Sequence, residues 1–365
     1  MTLLTALSLA REPRTTHSAI ALGNLQAQID RLGELAEGGC LAARAQVDLV
    51  ELLLLRGHLL GRIADGERAA GLAEHLVRHS PAEGVTLFAR ARTLASFHRF
   101  TEALTDLQEA AAHGMDGAVV ATERAAILQA VGHADQAEVI LRGAAAARQD
   151  FETLGALAVL LAAQGEVAAA EELFDQARTN YPGVSPLPVA LLDFQRGHMW
   201  QEQNELPRAR RWFEAAIRRV PPFAPAQGHL AEVETRLGHV EVAIDRLRPL
   251  AASSDDPAYA AQLARLLGIA GPSEEALGWR ARAAARFDEL CVRHPEAFAE
   301  HAAEFWLAVG DDPSRALDLA QSNAQLRATP RARELFARAT IACAAAGLGD
   351  RTAPRTRRED LRWRT

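Results

Sequence analysis

The clearest guide to the fold is "GEVAAAEELFDQARTNYP" (165–182), which sets small and large side chains at helical spacing. Ala170 and Ala177 stand on either side of Phe174, and Pro182 ends the run. Positions i, i+4 and i+7 share one face of an α-helix, so the three side chains form a single stripe. Small residues let a neighbouring helix approach closely, and the large residue fills the space between them. The stretch therefore predicts one helix packed against another.

The same stripe recurs along most of the chain at a nearly constant period. Successive first alanines are separated by 34, 34, 33, 39, 34, 33 and 40 residues. These anchors are Ala69, Ala103, Ala137, Ala170, Ala209, Ala243, Ala276 and Ala316. A second apolar helix precedes each stripe, and a turn residue typical of the left-handed region separates the two. Each unit therefore reads as helix, tight turn, helix, loop, with predicted turn residues Gly132, Gly165, Asn204, Gly238 and Gly271.

This pattern resembles the tetratricopeptide repeat (TPR) family, whose motif places small residues at two helix crossings. The best single match, "DFQRGHMWQEQNELPRARRWFEAAIRRVP" (193–221), has Gly197, Trp200, Ala209, Phe213, Ala216 and Pro221 in family positions. The resemblance covers residues 50–345 and implies an all-α fold, a right-handed α-solenoid (TPR-like superhelix) of antiparallel helix pairs. Two departures stand out: Glu234 and Arg280 occupy positions that are usually apolar.

The repeat divides the chain into four parts. Residues 1–64 are expected to form N-terminal capping helices and the first helix of the array, and residues 65–328 the TPR-like repeats. Residues 329–349 are expected to form a C-terminal capping helix, and residues 350–365 a basic, disordered tail. The two long spacings have local causes: a proline-rich joint at 182–188, and a lengthened second helix within 272–295.

Composition excludes several classes of function. All 40 basic residues are arginine, so there is no lysine for a Schiff base or a phosphate-binding loop. The net charge of −7 disfavours a general nucleic-acid binder. The three cysteines form no C-x-x-C pair and fit a reducing, cytoplasmic compartment. No apolar stretch approaches the roughly 20 residues that a membrane span needs. The N-terminal apolar segment is interpreted as a helix start or frayed leader, with a secretory signal as the alternative.

No motif for catalysis or metal binding is present. His75 and His79 are four residues apart on a helix, but no second pair of ligands is spaced to join them. The sequence contains no H-E-x-x-H, G-x-S-x-G or G-x-G-x-x-G motif. We therefore expect no metal, no cofactor and no enzymatic activity.

The resemblance to TPR proteins implies a concave face that is lined by the first helix of each repeat and binds a peptide or helix. The inward positions give the candidate partner-binding residues Phe88, Arg92, Gln129, Phe194, His198, Gln201, Glu232 and Arg265. Some TPR proteins grip a terminal carboxylate with Lys and Asn, and this chain has neither at those positions. The predicted function is a protein–protein interaction scaffold or adaptor. The alternative is a regulatory or sensor module that binds a small ligand or signalling peptide.

Two arginine clusters raise the question of RNA. They are "RARRWFEAAIRR" (208–219) and the tail "DRTAPRTRREDLRWRT" (350–365). Arginine beside an aromatic ring is able to hold phosphate and stack on bases. Base-by-base reading by helical repeats needs matching polar residues at one position in each unit, and this array has none. Nucleic acid is therefore not the expected partner.

Overall fold

A computed structural model of the chain describes residues 13–38, 41–269, 271, 273–327 and 329–347. Within these residues the secondary structure consists of eighteen α-helices and no β-strand. The tail at 350–365, which is expected from the sequence to be disordered, lies outside the described residues.

Sixteen of the helices form eight consecutive pairs. The pairs are α2 (Ala43–Leu60) with α3 (Ile63–His79), α4 (Gly84–Ser96) with α5 (Phe100–Ala112), α6 (Gly117–Ala130) with α7 (Ala134–Ala147), α8 (Phe151–Ala163) with α9 (Val167–Thr179), α10 (Pro186–Glu202) with α11 (Leu206–Arg219), α12 (Ala224–Arg236) with α13 (Val240–Ser253), α14 (Pro257–Ile269) with α15 (Glu274–Arg293), and α16 (Pro295–Ala308) with α17 (Pro313–Leu326). The flanking helices are α1 (Ser18–Glu37) and α18 (Pro330–Ala345). Each paired helix packs most extensively on its own partner and next on the adjoining pair, which confirms the predicted all-α, TPR-like solenoid.

The small residues of the stripe lie where helices cross. All eight anchor alanines lie on the second helix of a pair and are buried. In α9 the side chains of Ala170, Phe174 and Ala177 are fully buried. In the next pair, Phe213 of α11 packs on Gly197 of α10, where an added Cβ would come within 2.7 Å of the ring. The close crossing of α10 and α11 therefore depends on a position with no side chain.

The tight turns follow the predicted chemistry. The five predicted turn residues, Gly132, Gly165, Asn204, Gly238 and Gly271, all have positive φ. Two further turns use His98, with φ of 59°, and Asp311, with φ of 55°. A search of the sequence for glycine and asparagine does not identify these two positions, because histidine and aspartate adopt a positive φ much less often than glycine does.

The two irregular spacings also have structural causes. The spacing of 39 residues, from Ala170 to Ala209, contains the joint at 181–185 and the 17-residue α10. The hydroxyl of Ser185 caps the N-terminus of α10. The spacing of 40 residues, from Ala276 to Ala316, contains most of α15. This helix has 20 residues, whereas α9, the second helix of an earlier pair, has 13.

Glu234 departs from the repeat pattern because a buried ion pair replaces an apolar contact. Its side chain is almost fully buried, and Arg246 of α13 donates two hydrogen bonds to its carboxylate, at 3.0 and 2.9 Å. Arg246 also donates to Gln227 at 2.6 Å. The other departure, Arg280, donates a hydrogen bond to the backbone oxygen of Gly310 at 2.8 Å. Both charged residues are therefore accommodated by specific polar partners.

The spiral turns tightly enough for its first pairs to contact its later ones. Helix α2 packs against α12, and α1 packs against α10. The carboxylate of Asp255 accepts hydrogen bonds from the backbone N–H groups of Ile63 and Ala64, at 2.6 and 2.9 Å. The Ser254 hydroxyl donates to the backbone oxygen of Gly61 at 2.5 Å. The loop between α13 and α14 thus caps the N-terminus of α3, nearly 200 residues away in the sequence.

A second group of contacts lies further along the same boundary. Glu67 of α3 pairs with His294 at 2.9 Å, and the ring of His294 stacks on Phe97 with centroids 4.0 Å apart. The ring of His98 hydrogen-bonds through Nδ1 to the Glu296 backbone oxygen at 3.1 Å, and it also contacts the guanidinium group of Arg327. Burial and the charge of Arg327 lower the pKa of His98 to about 4. We call this whole set of contacts the inter-turn seam. Its first side consists of residues 61–67 and 97–98, and its second side of residues 254–255, 294–296 and 327.

We predict that Gly197→Ala destabilises the protein although alanine is the better helix former. Alanine normally stabilises a helix interior by about 1 kcal/mol relative to glycine. Here the Cβ clash with Phe213 is expected to cost about 1–3 kcal/mol and reverse the sign. The matched control is Gly143→Ala in α7, where nothing lies within 4 Å of the new Cβ. Thermal unfolding followed by circular dichroism should lower the midpoint for Gly197→Ala and raise it for Gly143→Ala. Equal shifts would contradict the close crossing.

We predict that Arg246→Leu costs about 3–5 kcal/mol, because it leaves the Glu234 carboxylate buried without its partner. The double variant Glu234→Leu/Arg246→Leu restores the apolar contact of the other repeats and should recover most of the lost stability. Urea unfolding of the two variants and the parent measures the difference. A double variant no more stable than Arg246→Leu would show that the pair is not the cause.

Candidate functional site

Two adjoining cavities lie along the first helices of the repeats. A cavity of about 970 Å³ is bounded by α6, α8, α10 and the segment from α16 to α18. A cavity of about 620 Å³ is bounded mainly by α12, α14, α16 and α18. Arg331 lines both, and we call the two cavities together the central channel. Their volumes are within the range of ligand and peptide sites in proteins.

The structure brings four of the eight candidate residues to this channel. Gln129 and His198 line the larger cavity, and Glu232 and Arg265 line the smaller one. They come from α6, α10, α12 and α14, which are first helices of successive pairs. The helical register read from the sequence therefore places these side chains on a common surface. Their role in binding a partner stays a prediction.

Three other candidates lie beneath the surface. Phe88 is 9% exposed and belongs to the core around α4 and α5. Phe194 is 7% exposed, and its ring contacts His229 with centroids 5.3 Å apart. The side chain of Gln201 is buried and hydrogen-bonds through Oε1 to His229 at 2.9 Å. Phe88 therefore belongs to the core of its own helix pair, whereas Phe194 and Gln201 pack behind His229, which lines the channel.

The eighth candidate, Arg92, is held by carboxylates of the neighbouring first helices. It forms ion pairs with Glu51 of α2 and, at 3.6 Å, with Glu123 of α6. It does not line either cavity of the central channel. Arg92 thus joins three consecutive pairs of the array.

The charges of the central channel are nearly balanced. Arg331 pairs with Glu300 at 2.7 Å and with Glu304 at 3.3 Å. The exposed guanidinium groups of Arg265 and Arg338 have no ion pair with any residue that the structure describes. The carboxylate of Glu232 is likewise unpaired within that part of the chain. Asp256 also lines the smaller cavity without an ion pair among the described residues, and its carboxyl group accepts a hydrogen bond from the backbone N–H of Ala258 at 2.9 Å. The smaller cavity therefore offers two arginines and two acidic side chains that have no ion pair within that part of the chain.

Helix α18 supplies residues that sequence reasoning missed. From the sequence, residues 329–349 are expected to form an end cap without site residues. The helix packs on α16 and α17 as the first helix of a further repeat would, and Arg331 and Arg338 reach the channel. The signal was present in the sequence, because residues seven apart lie on one helical face. Nothing in the sequence, however, showed that this face turns toward the earlier repeats.

Histidine rings cluster at the junction of the two cavities. Burial lowers the pKa of His229 to about 3, and the charges of His198 and Arg331 add to the effect. The ring lies between Phe194 and His198, with centroids 5.3 Å from each. Within the described residues there is no group of three or more His, Cys, Asp or Glu placed to hold a metal ion. Of this cluster, the ring of His229 is neutral near pH 7, and it hydrogen-bonds to the Gln201 side chain at 2.9 Å.

The arginine-rich stretch of α11 is used mostly within the fold. Arg210 pairs with Glu214 at 2.9 Å, and Arg219 pairs with Asp193 at 3.0 Å. Arg208 lies over the ring of Trp200, 4.3 Å from its centroid. These contacts account for much of the cluster that the sequence offered as a possible phosphate site.

Solved structures similar to this chain include two of human IFIT1 and one of a bacterial tetratricopeptide repeat protein. Human IFIT1 dimer with m7Gppp-AAAA has 16% sequence identity, covers 88% of this chain and 78% of that chain, and has a TM-score of 0.53. Human IFIT1 dimer with PPP-AAAA has 16% identity, covers 82% and 78%, and has a TM-score of 0.50. A tetratricopeptide repeat protein from Parabacteroides merdae has 13% identity, covers 86% and 98%, and has a TM-score of 0.40.

The sequence itself matches no family model and no curated protein. At these identities the structural similarities concern the fold alone. The two human IFIT1 structures share the fold of this chain, and the paired helices with their buried anchor alanines confirm the predicted TPR-like all-α solenoid. Among the described residues, no helix combines the length and apolar character needed to cross a membrane.

We predict that His229 makes the protein less stable as the pH falls. Its folded-state pKa, about 3, lies below the usual value of about 6.5, so the unfolded chain takes up a proton first. The stability that the neutral ring contributes is complete above pH 6.5 and is lost as the pH falls toward 3. His229→Gln keeps an amide beside Gln201 without the titration, and should flatten the pH dependence by up to about 1.4 kcal/mol per unit.

Urea unfolding at pH 7, 6 and 5 measures this slope. The control is His75→Gln on the exposed face of α3, which should leave the slope as it is in the parent. Identical slopes for the parent and His229→Gln would show that the ring is protonated in the folded protein.

Proposed function

We propose that the protein is a protein-interaction scaffold that holds a segment of another protein in the central channel. The observation that carries this proposal is the set of unpaired charges on Arg265, Arg338 and Glu232, exposed inside a lined cavity. Unpaired charges at the rim of an apolar groove are suited to fixing the register of a bound segment. The TPR-type fold supports the same role, because its first helices provide a continuous lining.

The balance of charge favours a peptide over a nucleic acid. A phosphodiester backbone carries one negative charge for each nucleotide and is bound mainly by excess Arg and Lys. In the central channel Glu202, Glu232 and Glu304 stand among the arginines and would repel such a backbone. A peptide with an acidic group for Arg265 or Arg338 and a donor for Glu232 fits the arrangement. Charge-assisted hydrogen bonds of this kind are among the stronger polar contacts.

A sensor module is the second candidate function, and cavity size is the observation that favours it. Both cavities have volumes that suit a small molecule. A thermal-shift screen of small metabolites tests this function directly. A metabolite that raises the Tm of the parent but not that of Arg265→Ala/Arg338→Ala would favour the sensor over the scaffold.

We predict that Arg265→Ala and Arg338→Ala each weaken binding of a channel peptide by about tenfold, because each removes one charge-assisted contact. The peptide is obtained by selection from a displayed random library on the purified protein, and its Kd is measured by fluorescence anisotropy. The matched control is Arg218→Ala on α11, an exposed arginine outside the channel.

Equal affinity for the parent and both channel variants would contradict binding in the channel. A 5′-triphosphorylated tetra-adenylate is measured in parallel, because human IFIT1 with PPP-AAAA shares the fold. Binding of that oligonucleotide that requires Arg265 and Arg338 would replace the peptide by RNA as the partner.

A further inference from the structure

We propose that a separate cavity between the two turns of the spiral binds a small amphipathic monoanion, such as a medium-chain or aromatic carboxylate. The cavity has a volume of about 660 Å³ and lies between α1 and α2 of the first turn and α12 and α13 of the second. It shares no lining residue with the central channel. We call it the inter-turn cavity. The inference is independent of the proposed scaffold function.

The walls of the inter-turn cavity are mainly apolar and come from both turns. Leu22, Leu25 and Leu60 line it from the first turn, and Pro221 and Pro249 line it from the second. Leu25 belongs to the large core that joins α1 and α2 to the later repeats, so this wall is fixed in place. Burial of an apolar body between such walls contributes roughly 25 cal/mol for each Å² removed from water. The cavity therefore accommodates a hydrocarbon or aromatic group.

Two of the three arginines that line this cavity already have complete partners. Asp65 accepts two hydrogen bonds from Arg56, at 2.7 and 2.5 Å, and Gln26 accepts a third at 2.8 Å. Arg246 is bound in the same two-pronged way by Glu234. Their charges are compensated within the fold, so neither guanidinium attracts a second anion strongly.

Arg62 differs from the other two arginines. It directly precedes α3, its side chain is exposed, and it has no ion pair with any residue of the described ranges. The cavity thus has one uncompensated positive charge beside an apolar interior. A single carboxylate on an apolar body complements this arrangement. Gln26 and Ser253 also line the cavity, but their side chains are already hydrogen-bonded to Asp30 and Arg56 and to the Pro249 backbone oxygen. A polyanion would find only one unpaired cation, and a neutral ligand would leave Arg62 unused.

Such a ligand would contact both turns at once. Binding that occurs only when α2 and α13 are together stabilises that arrangement by mass action. The inter-turn seam lies directly beside the cavity, since Arg62 stands between Gly61 and Ile63, whose backbone groups bond to Ser254 and Asp255. The ligand is therefore expected to protect the seam from opening.

The test uses decanoate as the monoanion and decanol as a neutral molecule with the same chain. Titration calorimetry on the full chain should show saturable binding of decanoate. Arg62→Ala should weaken the binding of decanoate by about tenfold and leave the affinity for decanol unchanged, because only the carboxylate contacts the guanidinium group. Leu22→Trp places a larger side chain in the cavity and should weaken the binding of both decanoate and decanol. The matched control is Arg44→Ala, which removes an exposed arginine of the same α2 helix outside the cavity.

Hydrogen exchange supplies an independent readout. At a decanoate concentration near the Kd of the parent, amide exchange at residues 61–66 should slow in the parent and in Arg44→Ala, and much less in Arg62→Ala. Absence of decanoate binding to the parent would overturn the proposal, as would binding that neither Arg62→Ala nor Leu22→Trp changes. Arg265→Ala in the central channel should leave decanoate affinity intact, so failure here is distinguishable from failure of the scaffold function.

Discussion

The whole array depends on the close approach of paired helices at positions that carry little or no side chain. The eight anchor alanines and Gly197 remove the bulk that would hold neighbouring helices apart, and rings such as Phe174 and Phe213 fill the remaining space. Because the same arrangement is repeated, each pair is set against the next at a similar angle. The rotation between pairs then accumulates into a spiral. The central channel exists because this rotation keeps the first helices on the inner side.

Repetition alone does not bring the ends of the spiral together. That requires the inter-turn seam, which relies on polar groups at the turns and loops rather than on the repeated stripe. Asp255 satisfies backbone N–H groups of α3 that no residue within that helix is able to satisfy. His98 and Arg327 make a comparable contact further along the boundary. Without the seam, each repeat would contact only its neighbours in the sequence. The seam adds contacts between repeats that are about 200 residues apart in the sequence.

The sequence predicts the local part of this structure well and the long-range part poorly. Helix pairs, crossing residues and five left-handed turns follow from side-chain size at fixed spacing, and the structure confirms them. Of the candidate site residues, Gln129, His198, Glu232 and Arg265 were brought to one channel because helical register determines which side chains share a face. Phe88 and Phe194 share that register but face the neighbouring helix. A rotation of a few tens of degrees separates the two outcomes, and a repeat pattern does not resolve it.

The parts that sequence reasoning missed all depend on where the second turn lies relative to the first. The arginines of α18 reach the channel, and the inter-turn cavity forms, only because repeats far apart in sequence meet in space. The angle between successive pairs sets that meeting, and a small error in each angle grows along eight pairs. Charged residues at such long-range contacts show no period, because each makes a single contact. Glu234 illustrates the point: it looks like a defect in the repeat, yet it anchors Arg246, which lines the cavity between the turns. Departures from a repeat are therefore the positions where an array acquires properties that its individual units lack.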